Sequence, residues 1–299
     1  MPVTPTDSYP AAGFSEATFR STYLGQRPVI LGGAKPSANE TTRAMLLRHC
    51  VNMSIPVRYR KGRGEELGIE WASLHSASNM QLGDLVDAWD AGKTNLYGFE
   101  GCLSCDCPEL LSELDFRIAP IFNRAAEWAH ADSVGWPSLL MGAAGSGSGV
   151  HIDRYGWPFW LQVVGGRKHV RIVTDSDVRT VAPGAWTPHL AQNYGPDFQL
   201  HFGRGLFDEA TVSALVGRGA TVWEAEMRDG DLLYIPQYAA HAAENAEETY
   251  AISSNFIDPA HAQLLHQHHE AGRKECDAEG MACQEDRALV VSEWHDLNL

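Results

Sequence analysis

Short runs of apolar residues, many of them alternating with polar ones, recur along the chain between turn residues. A repeat of two is typical of β-strands, in which successive side chains face opposite sides of a sheet. Apolar residues at spacings of three and four are typical of helices instead. The pattern predicts helices that begin near Ser15 and cover residues 41–50, 80–91 and 208–216. It predicts strands over residues 27–31, 55–60, 94–99, 138–141, 157–164, 168–173, 220–225, 231–235 and 249–256.

These elements predict an α+β chain that is mostly β, with largely antiparallel strands and helices before and after them. Residues 1–13, which are rich in Pro, Thr and Ala, are expected to form a flexible arm. Residues 14–257 are expected to form one domain, followed by a helical C-terminal extension over residues 258–299. Apolar residues in that extension suit packing on the same chain or on a second copy, so a homodimer through C-terminal helices is one expectation.

Composition and charge limit the kinds of partner. The chain has 299 residues, of which 44% are hydrophobic and 20% charged, so it can bury a substantial core. A formal net charge of −15 argues against a nucleic-acid-binding face, which requires clustered basic residues. The sequence has no apolar run of about 18 residues and no apolar segment of a secretion signal near its start. We therefore expect neither nucleic acid nor a membrane as a partner.

The six cysteines raise two alternatives. In a chain of this length without a secretion signal, they predict reduced thiols in the cytoplasm, or in the nucleus if the source is eukaryotic. The alternative is a zinc site, because thiolates at close spacing are common zinc ligands. Its ligands would be Cys102, Cys105 and Cys107, together with Cys276 and Cys283. The irregular spacing makes incidental thiols the simpler expectation.

A glycine-rich segment over residues 147–149 leads to His151 and Asp153. Residues i and i+2 of a strand face the same side, so one imidazole nitrogen and one carboxylate oxygen can reach the same metal ion. A third ligand candidate is His241, which follows the segment Gly-Asp-Leu-Leu-Tyr-Ile-Pro. Two histidines and one carboxylate with open positions are typical of non-haem Fe(II) oxygenases. For His-x-Asp alone, a turn histidine beside a solvated aspartate is the alternative.

These motifs resemble those of the JmjC and cupin-like Fe(II)- and 2-oxoglutarate-dependent oxygenases. The resemblance covers roughly residues 14–257, and the two metal motifs are its specific part. In pattern the chain is similar to small single-domain protein hydroxylases, such as the asparaginyl hydroxylase that inhibits hypoxia-inducible factor. The resemblance implies a double-stranded β-helix, or jelly roll, with the metal motifs at one open end. It also implies Fe(II) as cofactor and 2-oxoglutarate and O2 as co-substrates.

The same resemblance assigns roles to individual residues. The metal ligands and catalytic residues would be His151, Asp153 and His241. Lys168 matches the lysine that binds the distal carboxylate of 2-oxoglutarate, although a surface lysine, with Arg167 as the binding residue, is the alternative. Further co-substrate contacts are expected from Ser148, Tyr97 and Asn255, each of which could equally serve ordinary sheet packing. Substrate contacts are expected from Arg154, Tyr155, Trp157, Trp160 and Tyr238, with core packing as the alternative for most of the aromatic residues that follow the metal motif.

The implied activity is a dioxygenase that hydroxylates a protein or peptide side chain and releases succinate and CO2. Three alternatives stay open: the same chemistry on an amino acid or biosynthetic intermediate, N-methyl-lysine demethylation, and a non-catalytic cupin-like metal-binding module. An aspartate as the first carboxylate ligand, together with the lack of a recognisable chromatin-reader segment, favours hydroxylation over demethylation. An intact set of ligands with Lys168 favours an enzyme over a module.

Overall fold

The structure is a computed structural model that describes residues 3–33, 42–59, 74–113, 137–153, 156–182, 201–202 and 204–256. Strands outnumber helices in these ranges, and they form one sheet of five strands and one of nine. The expectation of a mostly β, α+β chain is therefore confirmed. No helix in the described ranges is long and apolar enough to cross a membrane.

The five-stranded sheet, called the small sheet below, carries part of each predicted metal motif. Its strands are β1 (Thr4–Pro5), β8 (Gly147–His151), β10 (Arg167–Val173), β11 (Trp223–Arg228) and β13 (Ala240–Asn245). They lie in the order β1, β11, β10, β13, β8. All neighbours are antiparallel except β1 and β11, which run parallel.

The nine-stranded sheet, called the large sheet, lies in the order β2, β3, β12, β9, β14, β7, β6, β4, β5. Only β2 and β3 pair in parallel. Its strands are β2 (Asp7–Pro10), β3 (Val29–Gly32), β4 (Ser54–Tyr59), β5 (His75–Gln81), β6 (Leu96–Cys102), β7 (Ser138–Gly142), β9 (Phe159–Gly165), β12 (Leu232–Ile235) and β14 (Thr249–Asn255).

Helices flank the two sheets. The predicted cap at Ser15 is present, because its hydroxyl accepts a hydrogen bond from the Thr18 amide at 3.0 Å. That short helix continues as a π-helix over Phe19–Tyr23. The α-helices are α1 (Glu16–Thr18), α2 (Thr42–His49), α3 (Leu82–Asp90), α4 (Leu103–Asp106), α5 (Pro108–Glu113), α6 (Asp175–Val181) and α7 (Glu209–Gly217).

Three apolar clusters hold these layers together. The first packs α2 and α3 against one face of the large sheet. The second lies between the sheets, where Leu161 and Leu233 of the large sheet meet Val170 and Ile172 of the small sheet. The third packs α6 and α7 on the outer face of the small sheet. The facing surfaces of the two sheets therefore enclose the interior in which the predicted site residues lie.

The N-terminal residues differ from the expected flexible arm. Thr4–Pro5 pair with β11, and Asp7–Pro10 pair with β3. Thr6, which joins these two strands, is buried. The flexible-arm prediction is wrong for these residues because the edges of both sheets supply backbone partners that composition does not reveal. The C-terminal extension lies outside the described residues, so the helices and dimer expected there stay predictions.

The cysteines also differ from expectation. Cys50 is disulfide-bonded to Cys107, and Cys102 to Cys105. The prediction of reduced thiols is wrong for these four residues, because folding brings α2 beside the start of α5 and places Cys102 and Cys105 at the start of α4. A disulfide sulfur is not a thiolate, so Cys102, Cys105 and Cys107 cannot act as zinc ligands in this state. Cys276 and Cys283 lie outside the described residues.

Candidate active site

A cavity lies between the two sheets, and both sheets contribute to its wall. It holds about 590 Å³ of empty space, including its open mouth. Its polar wall is formed by Tyr97, Glu100, Ser138, Ser148, His151, Asp153, Lys168, His241, Ser253, Ser254 and Asn255. Its apolar wall is formed by Phe99, Leu140, Phe159, Leu161, Val170, Ile235 and Ala243.

The two predicted metal motifs meet in this cavity. His151 is the last residue of β8 and lies opposite His241 in the pairing of β8 with β13. The centroids of the two imidazole rings are 4.2 Å apart. Asp153 follows just beyond β8, and its Oδ1 is 3.5 Å from His151 Nε2 and 3.9 Å from His241 Nε2. One ligand atom from each side chain therefore lies within 4.8 Å of the others, close enough to hold one metal ion.

Backbone contacts set the protonation of both histidines. His151 Nδ1 lies 2.8 Å from the Gly149 carbonyl oxygen, and His241 Nδ1 lies 3.1 Å from the Ala239 carbonyl oxygen. A carbonyl oxygen only accepts hydrogen bonds, so Nδ1 is the protonated nitrogen in the neutral form of each ring, and in that form Nε2 has a free lone pair. Burial lowers the pKa of His151 well below its usual value, and repulsion from a protonated His241 would lower it further. A neutral imidazole with a free Nε2 is the form that binds a metal.

The carboxylate of Asp153 is oriented in the same way. Its Oδ2 accepts a hydrogen bond from Asn255 Nδ2 at 2.7 Å, which leaves Oδ1 facing the histidines. Burial raises the pKa of Asp153, since a desolvated carboxylate without a cation is unfavourable. A divalent cation between the three side chains would remove that penalty. The donor set of two imidazole nitrogens and one carboxylate oxygen therefore fits Fe(II).

Lys168 is the buried cation of the cavity. It lies on β10 and is 2% exposed, and its ammonium donates a hydrogen bond to Asn245 Oδ1 at 2.7 Å. Asn245 in turn donates from Nδ2 to Ser146 Oγ at 3.1 Å. Burial lowers the pKa of Lys168 to about 7. Within the described ranges no carboxylate pairs with this ammonium, so an entering anion would find an unneutralised positive charge.

The rival cation, Arg167, faces away from the cavity. Its side chain is 57% exposed and lies 3.5 Å from Glu247 on the surface. Adjacent residues of a strand point to opposite faces, which places Lys168 inside and Arg167 outside. The alternative of a surface lysine is therefore wrong, and Lys168 is the basic residue at the position that the resemblance indicated.

The three other predicted co-substrate residues also line the cavity. Ser148 lies on β8 and is buried. Tyr97 is buried on β6, and its ring centre is 5.6 Å from the Lys168 ammonium. Burial raises the pKa of Tyr97, so its phenol stays protonated and can donate a hydrogen bond. Asn255 uses its amide group on Asp153, so its visible role is to orient a candidate metal ligand.

Comparison with known families agrees with this geometry. The sequence model of the family described as "Cupin-like domain" matches residues 15–261. The chain belongs to this cupin-like domain family. A comparison with curated proteins finds no match. Family membership thus rests on most of the chain, and the buried His-Asp-His cluster in this cupin-like domain is compatible with a metal centre.

Three of the five predicted substrate residues do not face the cavity of the cupin-like domain. Phe159 of β9 lines it, so the neighbouring Trp160 points to the opposite face and packs in the cluster beside the helices. Tyr238 is buried, with its ring packed over Gly156. Trp157 precedes β9 and is absent from the described wall. The expected substrate contacts of these three residues therefore stay predictions that the cavity wall does not support, and Arg154 and Tyr155 lie outside the described residues.

The sequence did not single out Asn245, which contacts Lys168, or Glu100, which lines the cavity. Asn245 holds the Lys168 ammonium because β13 pairs with β10 in a register that sets these two residues opposite each other. Glu100 lines the mouth because of an irregularity in β6. Neither signal is visible in the sequence, because each depends on which strands become neighbours in the cupin-like domain.

Proposed function

We propose that this protein is an Fe(II)- and 2-oxoglutarate-dependent dioxygenase with the fold of a double-stranded β-helix. Its proposed substrate is a side chain of a protein or peptide, which it hydroxylates. The order of strands supports the β-helix. From β7 to β14 the chain passes between the sheets at nearly every step, with β10 and β11 as the one consecutive pair in the same sheet. That winding is typical of jelly rolls.

The single observation that carries the proposal is the pairing of a buried cation with a metal-compatible triad in one cavity. Lys168 shares the cavity with His151, Asp153 and His241, and its ammonium has a neutral amide oxygen as its partner. A buried lysine lacking an opposite charge is unfavourable, unless a ligand supplies that charge. A dicarboxylate that reaches from the metal to Lys168 meets both requirements.

The chain's own residues then divide the work. His151, Asp153 and His241 hold the metal through three positions, and Asn255 fixes the rotamer of Asp153. Bound Fe(II) supplies O2 activation, which couples oxidative decarboxylation of 2-oxoglutarate to hydroxylation of a substrate C–H bond.

Lys168 binds the distal carboxylate of 2-oxoglutarate, assisted by hydroxyl groups of Ser148 and Tyr97. Leu161 and Val170 close the wall around this end with apolar surface, and that exclusion of water strengthens the charge–charge contact.

The test uses purified protein with Fe(II) under anaerobic conditions, into which 2-oxoglutarate is titrated. We expect a weak visible metal-to-ligand band, followed by succinate formation when O2 is admitted. His151→Ala should lose both signals, whereas Lys168→Ala should mainly raise the concentration of 2-oxoglutarate required. Arg167→Ala is the matched control, because its charge lies on the outer face, and it should behave as the wild type.

The outcomes separate the classes of function. A band without succinate would indicate an enzyme that turns over only with its own substrate. Absence of the band as well would refute the proposal and favour a non-catalytic metal-binding module. If succinate forms, a panel of peptides beside free amino acids, read by a mass increase of one oxygen, would distinguish a peptide substrate from a small molecule.

A further inference from the structure

Glu100 is an acidic side chain on the cavity wall that none of the roles above uses. It lines the cavity with the three candidate metal ligands, and its side chain is partly exposed to solvent and partly shielded by neighbouring atoms. We propose that Glu100 is a specificity-determining residue that binds a cationic group of the substrate, so that an arginine or lysine side chain is presented to the metal. This inference rests on the proposed function and deepens it.

A β-bulge aims Glu100 at the cavity. In the pairing of β6 with β7, Gly98 lies opposite Met141 and Gly101 lies opposite Leu139. Two residues of β6 therefore span a stretch that one residue of β7 spans, which defines a bulge. A Cβ on Gly98 or Gly101 would contact Ile55, so both glycines face the core beside the helices. In a regular strand the side chains of residues 98 and 100 face the same side, so without the bulge the Glu100 side chain would also point into that core.

The backbone at the bulge carries a conformational cost. Glu100 has a φ of 57°, a left-handed conformation that glycine adopts freely and a residue with a Cβ does not. Such strain tends to occur where a side chain is held in place for a function. In this chain, the strained position places a carboxylate on the cavity wall.

The charge of Glu100 is not neutralised by the groups that the proposed reaction uses. The charges of a divalent metal, Asp153, 2-oxoglutarate and Lys168 cancel, which leaves the carboxylate of Glu100 in excess. Desolvation and repulsion from Asp153 raise the pKa of Glu100, and the positive charge of Arg58 lowers it. The Arg58 guanidinium lies over the Phe99 ring, 5.8 Å from its centre.

A cationic side chain fits this arrangement better than a neutral one. A guanidinium or ammonium group gains a charge-assisted hydrogen bond to the Glu100 carboxylate, which is stronger than a bond between neutral groups. Phe159 also lines the cavity, and aromatic faces attract cations. An acidic substrate would instead be repelled, so the same residue selects against it.

The experiment compares two probes that differ in charge alone. N-acetyl-arginine amide carries a guanidinium, and N-acetyl-citrulline amide replaces it with a neutral urea of the same shape. The protein is loaded with Mn(II) and 2-oxoglutarate, and binding of each probe is measured from the NMR relaxation rates of the probe protons. Mn(II) is paramagnetic, so these rates also report the distance between the probe and the metal. The variants are Glu100→Gln, which keeps size and removes charge, and Glu109→Gln, an exposed carboxylate that belongs neither to the cavity wall nor to a candidate metal cluster.

We expect the wild type and Glu109→Gln to bind the arginine probe about tenfold more tightly than the citrulline probe, and Glu100→Gln to lose this preference. Equal binding of the two probes, a preference that survives in Glu100→Gln, or no binding of either probe would overturn the inference. The anaerobic Fe(II) band tests the proposed function separately, and a band without charge preference refutes this inference alone. If the Fe(II) band is absent, the two probes are compared in metal-free protein instead. Broadening of the probe NMR lines on binding then tests the preference for the charged probe.

Discussion

The pKa of Lys168 makes the binding of 2-oxoglutarate depend on pH. In the empty cavity this pKa is about 7, because burial disfavours the ammonium and its partner is a neutral amide. A bound carboxylate favours the ammonium and returns the pKa toward its usual value above 10. At pH values above 7, therefore, the empty protein has lost the proton and must take it up again when the dianion binds.

The size of the effect follows from this shift. Each pH unit above 7 should weaken binding about tenfold, or about 1.4 kcal/mol, until the pKa of the complex is reached. At pH 9 the affinity for 2-oxoglutarate should be about a hundredfold lower than at pH 6. Proton uptake should rise from near zero at pH 6 to almost one proton per site at pH 8.5.

Calorimetry of Mn(II)-loaded protein in two buffers with different ionisation enthalpies measures both quantities. Lys168→Arg retains a charge that does not titrate in this range, so its affinity should lose the pH slope. Arg167→Gln should retain the slope, because that side chain lies outside the cavity. A flat profile in the wild type, or the same slope in Lys168→Arg, would refute the assignment of the linked proton to Lys168.

Three further predictions follow from other contacts. In the empty protein at pH 7, Lys168→Met should raise the free energy of unfolding by roughly 2–4 kcal/mol, as measured by denaturant titration. This gain should shrink toward pH 10, because there Lys168 loses its proton in the unfolded chain as well. Asn255→Ala removes the 2.7 Å bond to the candidate metal-binding carboxylate and should weaken metal binding about 10–100-fold in a metal titration; an unchanged affinity would contradict the orienting role. Gly147→Ala would place a Cβ 2.1 Å from the Ala243 carbonyl oxygen and should cost more than about 2 kcal/mol in urea, whereas Gly145→Ala meets no atom within 4 Å and should cost less; equal losses would argue against the clash.

Local patterns predicted those parts of the site that depend on neighbours in the sequence. The interval between His151 and Asp153 indicated a shared face, and alternation correctly separated Lys168 from Arg167. The same alternation predicts that Phe159 and Trp160 face opposite sides, and the structure agrees. Trp160 was nevertheless expected to touch substrate, because the sequence does not say which side of β9 is the cavity.

Other features depend on long-range pairing and were not predictable. The bulge at Glu100 breaks the period of two on which strand predictions rely. The bond from Lys168 to Asn245 depends on the register of two strands that are far apart in the chain. Cys50 and Cys107, 57 residues apart, meet only when their helices pack together.

The first strands of the chain have a consequence for self-association. Thr4–Pro5 form the outermost strand at one end of the small sheet, and Asp7–Pro10 do the same for the large sheet. An uncovered sheet edge offers free backbone groups to any strand of another molecule. Deleting residues 1–10 would therefore uncover β11 and β3 together and give the protein two surfaces on which copies can polymerise. Light scattering after such a deletion should show concentration-dependent growth, so affinity tags are better attached through a spacer that leaves Thr4–Pro5 and Asp7–Pro10 paired.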